Sequence, residues 1–364
     1  MSVYPTEWIC YGSVNMPEAD AVTVGGAVDL TRQIFFSDMV ANGLLNFVSS
    51  SALDTATRIV VAGRDVAGVI QTPAFVTLTG TTKVAGAQTF NRLLYGATSG
   101  ASATGPLANP AGTAAVGDVA AMANTQTLSA RTAQAGSAQA TGVTPALFKL
   151  QAGDGASVTL GMIIRTTGGT GPNQLRRVMA TSGVSAGQYG TDIVAVNRAW
   201  TILPDATTTY EVATGMLFEI LPNPVTSVVR AFATAASDIV GGATRNYFEK
   251  CFFLNTDGTT AVTSATLIKQ IDPAGLYAAS GAFNIAPCTA LNDTNTITNR
   301  QTTPVTGVGA FSSGAAPQTV TLAAQTAASN AAAQAQGFWM QLQLAAGAAP
   351  VNTTFDLRPS GQTI

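Results

Sequence analysis

The chain has 364 residues, 17 Lys+Arg against 19 Asp+Glu, a formal net charge of −2 and no histidine. Histidine is the side chain that titrates near neutrality unperturbed, so its absence excludes Ser-His-Asp and Cys-His catalysis and most zinc sites. No cluster of Lys/Arg is present to neutralise phosphates, so nucleic acid is not expected as a partner.

Apolar residues make up 46% of the chain and mean hydropathy is +0.27, values inflated by alanine. No run of 18 apolar residues occurs, so no transmembrane helix is expected. The opening MSVYPTEWICYG lacks a basic stretch followed by an apolar one, so no secretory signal is expected either. Cys10, Cys251 and Cys288 are odd in number and widely spaced, which fits free thiols made in a reducing cytoplasm. So few charges fit a surface covered by copies of the chain or by neighbours.

In chain order, the first region, residues 1–100, reads as an antiparallel β-sandwich or small barrel. Strands are predicted at 28–36 (VDLTRQIFF), 43–48, 58–62, 69–78 and 88–95, from their β-branched and aromatic residues. Gly63-Arg64-Asp65-Val66-Ala67-Gly68 supplies a hairpin turn between two of them. Residues 101–144 are almost all small and read as a linker or an extended arm lying on a neighbouring subunit. Residues 145–224 read as a small barrel, with strands at 157–165, 174–180, 192–200 and 209–213 and turns at 166–172 and Pro204-Asp205. Residues 225–364 read as an immunoglobulin-like sandwich. There, 246–255 is predicted to turn at Thr256-Asp257-Gly258 and pair back with 265–271. The segment 337–344 (GFWMQLQL) alternates, with Phe338, Met340, Leu342 and Leu344 on one face and Trp339, Gln341 and Gln343 on the other. Its expected partner is 353–357, and the alanine-rich 321–336 is read as a short helix. The fold class is therefore all-β, in tandem sandwich or small-barrel domains.

Motifs that resemble chemistry read better as structure. Gly183-Val184-Ser185-Ala186-Gly187 matches G-x-S-x-G, but a nucleophile elbow needs a histidine and a following helix. Gly168-Gly169-Thr170-Gly171 is followed by Pro172 and a strand, so it reads as a tight turn and not as a phosphate loop. Asp154-Gly155 and Asp257-Gly258 lack the twelve-residue calcium loop with its terminal Glu and read as Asx turns, with a surface cation as the alternative. Arg176-Arg177 on a strand point to opposite faces, which fits a subunit salt bridge better than a phosphate clamp. Asp54, Arg64 and Asp65 flank a turn, either as solvated charges or as partners across an interface. Trp8, Trp200 and Trp339 fall one to a region and read as core or interface anchors. Five of the carboxylates are Glu, and no aromatic-rich stretch surrounds a carboxylate pair, so glycoside hydrolysis is not expected. Neither catalytic residues nor cofactor or metal ligands are assigned.

Three segments together carry a resemblance. ATRIVVAGRDVAGVIQTPAFVTLTGTTKVAGAQTFNRLLY resembles a β-rich module of tailed-bacteriophage virion proteins, in which a G-x-D-x-x-G turn is followed by T-L-T/N-G-T-T and an F-x-R-I/L strand. RTTGGTGPNQLRRVMATSG with DIVAVNRAWTILPDATTTYEV is similar to another recurrent phage segment. YFEKCFFLNTDGTTAVTSATLIKQ and GFWMQLQLAAGAAPVNTTFDL resemble sandwich domains on phage particle surfaces. The resemblance implies a non-enzymatic virion protein that is assembled in the host cytoplasm. It would contact copies of itself and a major capsid or tail protein, with neither nucleic acid nor membrane as a partner. The expectation is a capsid decoration or cement protein; the alternatives are a tail component (tube, tip or fibre-attachment subunit) and a carbohydrate-binding adhesin.

Overall fold

The computed structural model describes residues 8–16, 22–71, 75–100, 112–141, 145–180, 189–221, 224–232, 244–255, 261–271, 283–325, 335–344 and 356–363. The first strands are β1 (Trp8–Asn15), β2 (Val24–Gln33), β3 (Gly43–Ser49), β4 (Arg58–Arg64), β5 (Ile70–Gln71), β6 (Val76–Thr77), β7 (Val84–Phe90) and β8 (Arg92–Thr98). Next come β9 (Val119–Ala123), β10 (Leu128–Thr132), β11 (Leu147–Lys149), β12 (Ile163–Gly168), β13 (Leu175–Ala180), β14 (Ile193–Val196), β15 (Thr209–Ala213), β16 (Gly215–Phe218) and β17 (Ser227–Val229). The last are β18 (Arg245–Asn255), β19 (Val262–Ile271), β20 (Phe283–Leu291), β21 (Thr296–Ile297), β22 (Gln318–Thr321), β23 (Gln336–Leu344) and β24 (Asp356–Thr363). A 3₁₀ turn at Gly155–Ser157 is the only helical element among the described residues. The protein is all-β.

The chain folds into two compact units. One is built mainly from Thr31–Arg230, the other from Glu7–Leu30 together with Ala231–Ile364.

The Thr31–Arg230 unit has three layers. The outer sheet runs β17-β8-β4-β5, with β6 also on β4, and the end of β2 pairs in parallel with β17 through Arg32 and Gln33. The middle sheet runs β16-β9-β3-β7, and the third layer is a six-stranded half-barrel, β10-β15-β12-β13-β14-β11. The middle sheet is buried on both faces. Leu45, Phe47, Val119, Ala121, Met216 and Phe218 pack toward the outer sheet. Val48, Ala120, Met122 and Leu217 point the other way, onto Ile163, Leu175 and Ala213 of the half-barrel. This follows from the two-residue period of a strand. Phe148, Trp200 and Tyr210 fill the half-barrel with Val178, Val194 and Val212.

Several expectations for this unit need correction. The stretch 101–144 is more than a linker: its VAAMA segment is β9, a buried central strand, and 128–132 is β10. On each of its faces an alanine stands beside a larger residue, Ala121 beside Val119 and Ala120 beside Met122, so the strand fits between the two layers beside the larger side chains of β3 and β16. Residues 88–95 are not one strand, because β7 and β8 belong to different sheets and part at Asn91. The predicted strand at 157–165 begins only at Ile163, after the 3₁₀ turn.

In the other unit, the main sheet runs β20-β23-β18-β1-β2, with β21 on β2. Two strands from the start of the chain thus complete the C-terminal sheet, and 225–364 is not a self-contained sandwich. β18 lies between β1 and β23, with Tyr11 opposite Phe252 and Phe338 opposite Cys251. The second sheet, β22-β19-β24, holds the segment predicted to pair with β18. β24 pairs with β19, so β23 takes β18 and β20 as partners instead of 353–357. The burial alternation of β23 holds only in its second half: Phe338, Met340, Leu342 and Leu344 are buried and Gln341 and Gln343 half-buried, but Trp339 on the face of the Gln residues is buried in a second cluster with Phe248 and Cys288. Phe253, not Phe252, shares the face of Phe338 and stacks on it at 5.0 Å between centroids. Of the predicted helix 321–336, Thr321 closes β22 and Gln336 opens β23; residues 326–334 lie outside the described residues.

Candidate functional site

The most distinctive surface feature is the turn joining β4 to β5. Aliphatic side chains dominate its tip: Val66 is 73% exposed, Val69 58% and Ile70 54%. Isolated exposed aliphatics are ordinary, but these are close in sequence and presented on a rigid frame. The Asp65 carboxylate accepts from the Ala67 and Val69 N–H groups, both at 2.9 Å, and from Gln71 Nε2 at 2.8 Å. Asp65 N donates to Val69 O, Gly68 N donates to Asp65 O, and Arg64 Nη1 donates to Gly68 O at 2.8 Å. Gly68 has φ +79°, which a residue with a Cβ adopts only at a cost. Several polar atoms of the turn are therefore engaged with one another, and Val66, Val69 and Ile70 are exposed beside the partly exposed Arg64 and Asp65.

Asp54 has a comparable role at the other end of β4. It is buried. Its carboxylate accepts from Ser49 Oγ at 2.5 Å, Thr57 Oγ1 at 3.3 Å, Val116 N at 2.7 Å and Gly117 N at 3.0 Å. It pins the 116–117 backbone where the chain enters β9. Asp54 is thus buried and not a solvated charge, while Arg64 and Asp65 stay partly exposed; all three bond backbone within the chain.

The buried charges also hold the fold. Arg176 and Arg177 diverge from β13, as a strand requires. Arg176 donates to Ala199 O and Leu175 O, lies 3.6 Å from Asp118 and packs over Trp200. Arg177 donates to Glu219 Oε2 and Gln33 Oε1, both at 2.7 Å. Arg198 also bonds Asp118, and Asn197 bonds Glu219. Because Asp118 and Glu219 flank middle-sheet strands, these contacts fasten that sheet to the half-barrel. In the other unit, the Lys250 amine meets the Asp293 carboxylate and the carbonyls of Gly26, Asp293 and Asn295. Arg300 meets Glu249. Sequence reasoning missed Asp118, Glu219, Lys250, Asp293, Glu249 and Arg300. The one local signal was a charge inside an apolar strand, as in the FEKCFF run of β18.

The thiols are poor nucleophiles. Loss of water around them pushes Cys10 and Cys288 up to about 12 and Cys251 well above the ordinary thiol value. Among the described residues, no group of three or more Cys, Asp or Glu is gathered to hold a metal ion. Asp154 accepts from Tyr210 Oη at 2.8 Å, and Asp192 accepts from Gly153 N and Gly155 N. The Gly169–Gly171 turn docks on the turn at Asp205, where Thr170 Oγ1 donates to Asp205 Oδ2 at 2.8 Å. Trp200 and Trp339 are buried in core. Ser185 with its G-x-S-x-G segment, and Asp257-Gly258, lie outside the described residues. Among the described residues no helix is long and apolar enough to cross a membrane.

Comparison with protein-family models, with curated proteins and with solved structures finds no match to this chain.

Proposed function

We propose that this chain is a non-enzymatic structural protein of a tailed-phage particle, a decoration or cement subunit on the capsid exterior. In this reading it assembles in the host cytoplasm, joins the virion, and contacts copies of itself and the major capsid protein. The observation that carries the reading is the rigid apolar turn at 64–71. Its exposed Val66, Val69 and Ile70 offer apolar surface, and the hydrogen bonds of Asp65 fix the loop that presents them, so a partner gains apolar burial on a preorganised turn. The charges described above are committed to holding backbone and layers, which suits a building element repeated by symmetry.

The test is electron microscopy of particles produced with the gene deleted. Intact but fragile heads are the expected result. Particles with defective or missing tails would overturn the capsid placement in favour of a tail component. Particles of unchanged composition, stability and infectivity would overturn the virion reading.

A further inference from the structure

In the unit that contains β18, an amine and a carboxylate are shut away from water together. The Lys250 side chain is unexposed and that of Asp293 is 4% exposed. The amine lies 5.2 Å from the centre of the Phe252 ring and 5.7 Å from that of Trp339. Its Nζ touches Asp293 Oδ1 and donates to three carbonyls: Asp293 O at 2.8 Å, Gly26 O at 3.0 Å and Asn295 O at 3.1 Å. Strand β2 and the turn after β20 thus fix where the amine sits. The carboxylate is fixed as firmly. Its Oδ1 accepts from Asn295 N at 3.1 Å, its Oδ2 accepts from Asn295 Nδ2 at 2.5 Å, and the Cys288 thiol donates to it as well. Each of these donors draws electron density from Cγ, the carbon that an amine attacks. The other buried pair of this unit, Glu249 with Arg300, offers no such chemistry, because a guanidinium does not give up its proton.

We propose that Lys250 and Asp293 condense into an isopeptide bond. The ammonium passes one proton to the carboxylate, which leaves a neutral amine and a neutral acid. The Nζ lone pair then forms a bond to Cγ, and the carbonyl electron pair moves onto oxygen. The donors from Asn295 stabilise that oxyanion. A second proton passes from nitrogen to the hydroxyl, the C–O bond breaks, water leaves and the oxyanion collapses to the amide carbonyl. An ammonium and a carboxylate thus become one amide and one water; the two charges cancel and nothing is oxidised or reduced. Two physical terms favour the amide. A buried ion pair carries a desolvation cost that a neutral amide escapes, and two groups held in contact react at a very high effective concentration. The amide ties β18 to the turn after β20, 43 positions further along the chain. It restricts the unfolded chain as a disulfide does, in a protein whose cysteines are free. The bond forms once per chain, without turnover, and does not depend on which partner the chain joins.

The experiment is intact-mass spectrometry of the full chain in denaturant, followed by proteolysis and peptide sequencing. The wild type is expected to be lighter than its sequence mass by one water. Its digest should contain a branched pair of peptides joined between Lys250 and Asp293, with no tryptic cleavage after Lys250. Lys250→Met and Asp293→Ala are each expected at their full sequence mass. The mass is read on the denatured chain, so the wild-type result stands whether or not those variants fold. A wild type that keeps its full sequence mass, both when fresh and after prolonged incubation, would overturn the proposal and leave an ordinary ion pair. Loss of one water that maps to any other residues, or that persists in Asp293→Ala, would overturn it too.

Discussion

The two units bury charge in different ways. In the Thr31–Arg230 unit, Asp118 receives Arg198, Arg176 and the Ile220 N–H, while Glu219 receives Arg177, Asn197 and Gln33. In the other unit, Glu249 and Lys250 are neighbours on β18 that face opposite ways. Each meets one opposite charge, Arg300 and Asp293 respectively, and both pairs are almost wholly buried. A shared carboxylate that loses one donor keeps others; an isolated buried pair that loses one member strands the second in low dielectric.

The sharpest test removes one partner of an isolated pair. Arg300→Met should cost about 3–5 kcal/mol in chemical denaturation, because it leaves Glu249 with only the Phe232 N–H. A loss below about 1 kcal/mol would show that the pair is not stranded by the substitution. Next, Leu342→Ala should cost about 2–5 kcal/mol, a cavity effect at a buried position. Arg198→Met in the shared network should cost about 1 kcal/mol, since Asp118 retains Arg176 and Ile220 N. Equal losses for Arg198→Met and Arg300→Met would erase the contrast between the units.

A pH titration of stability sharpens it further. Burial raises the carboxyls of both Glu249 and Asp118 above the ordinary range, and Arg300 and Arg198 respectively pull them partly back. The folded chain then binds more protons than the unfolded one at these sites. Their contribution is greatest below the unfolded values, near pH 4, and is lost as pH rises through the folded ones. Asp192 acts in the opposite sense and in a lower window. Backbone N–H groups of Gly153 and Gly155 hold its carboxyl down, so its contribution disappears only as pH falls below the ordinary Asp value. Glu249→Gln should flatten the upper window; an unchanged profile in that variant would assign the dependence elsewhere. The smallest effect belongs to Gln341→Ala, expected at about 1 kcal/mol or less, because its half-buried side chain on the opposite face from Leu342 gives up one hydrogen bond, from Asn284 Nδ2 at 3.1 Å.

Much of the local structure was legible. The strands at 43–49, 58–64, 175–180, 209–213 and 245–255 follow from β-branched and aromatic runs, and the 63–68 turn from its Gly and Asp. The period of two in GFWMQLQL alone separated Leu342 from Gln341. Of the candidate site, Arg64, Asp54 and Asp65 were visible as charges beside a turn, but their role was not. A carboxylate that caps four donors looks the same in sequence as one that faces water.

The amino-acid sequence by itself determined the all-β class, the lack of histidine chemistry and the alternation within single strands, because these depend on side-chain type and on neighbours along the chain. Tertiary structure decided which strands pair. β1 and β2 complete a sheet with β18 and β23 from the far end of the chain, and β18 and β19 separate where a hairpin was expected. It also decided the meaning of small residues. A Cβ on Gly96 of the outer sheet would lie 2.7 Å from Met216 Sδ and 2.9 Å from Phe218 Cζ of the middle sheet. Where sheets approach that closely, a string such as VAAMA is a central strand. Only the distance to layers that are remote in sequence distinguishes it from a linker.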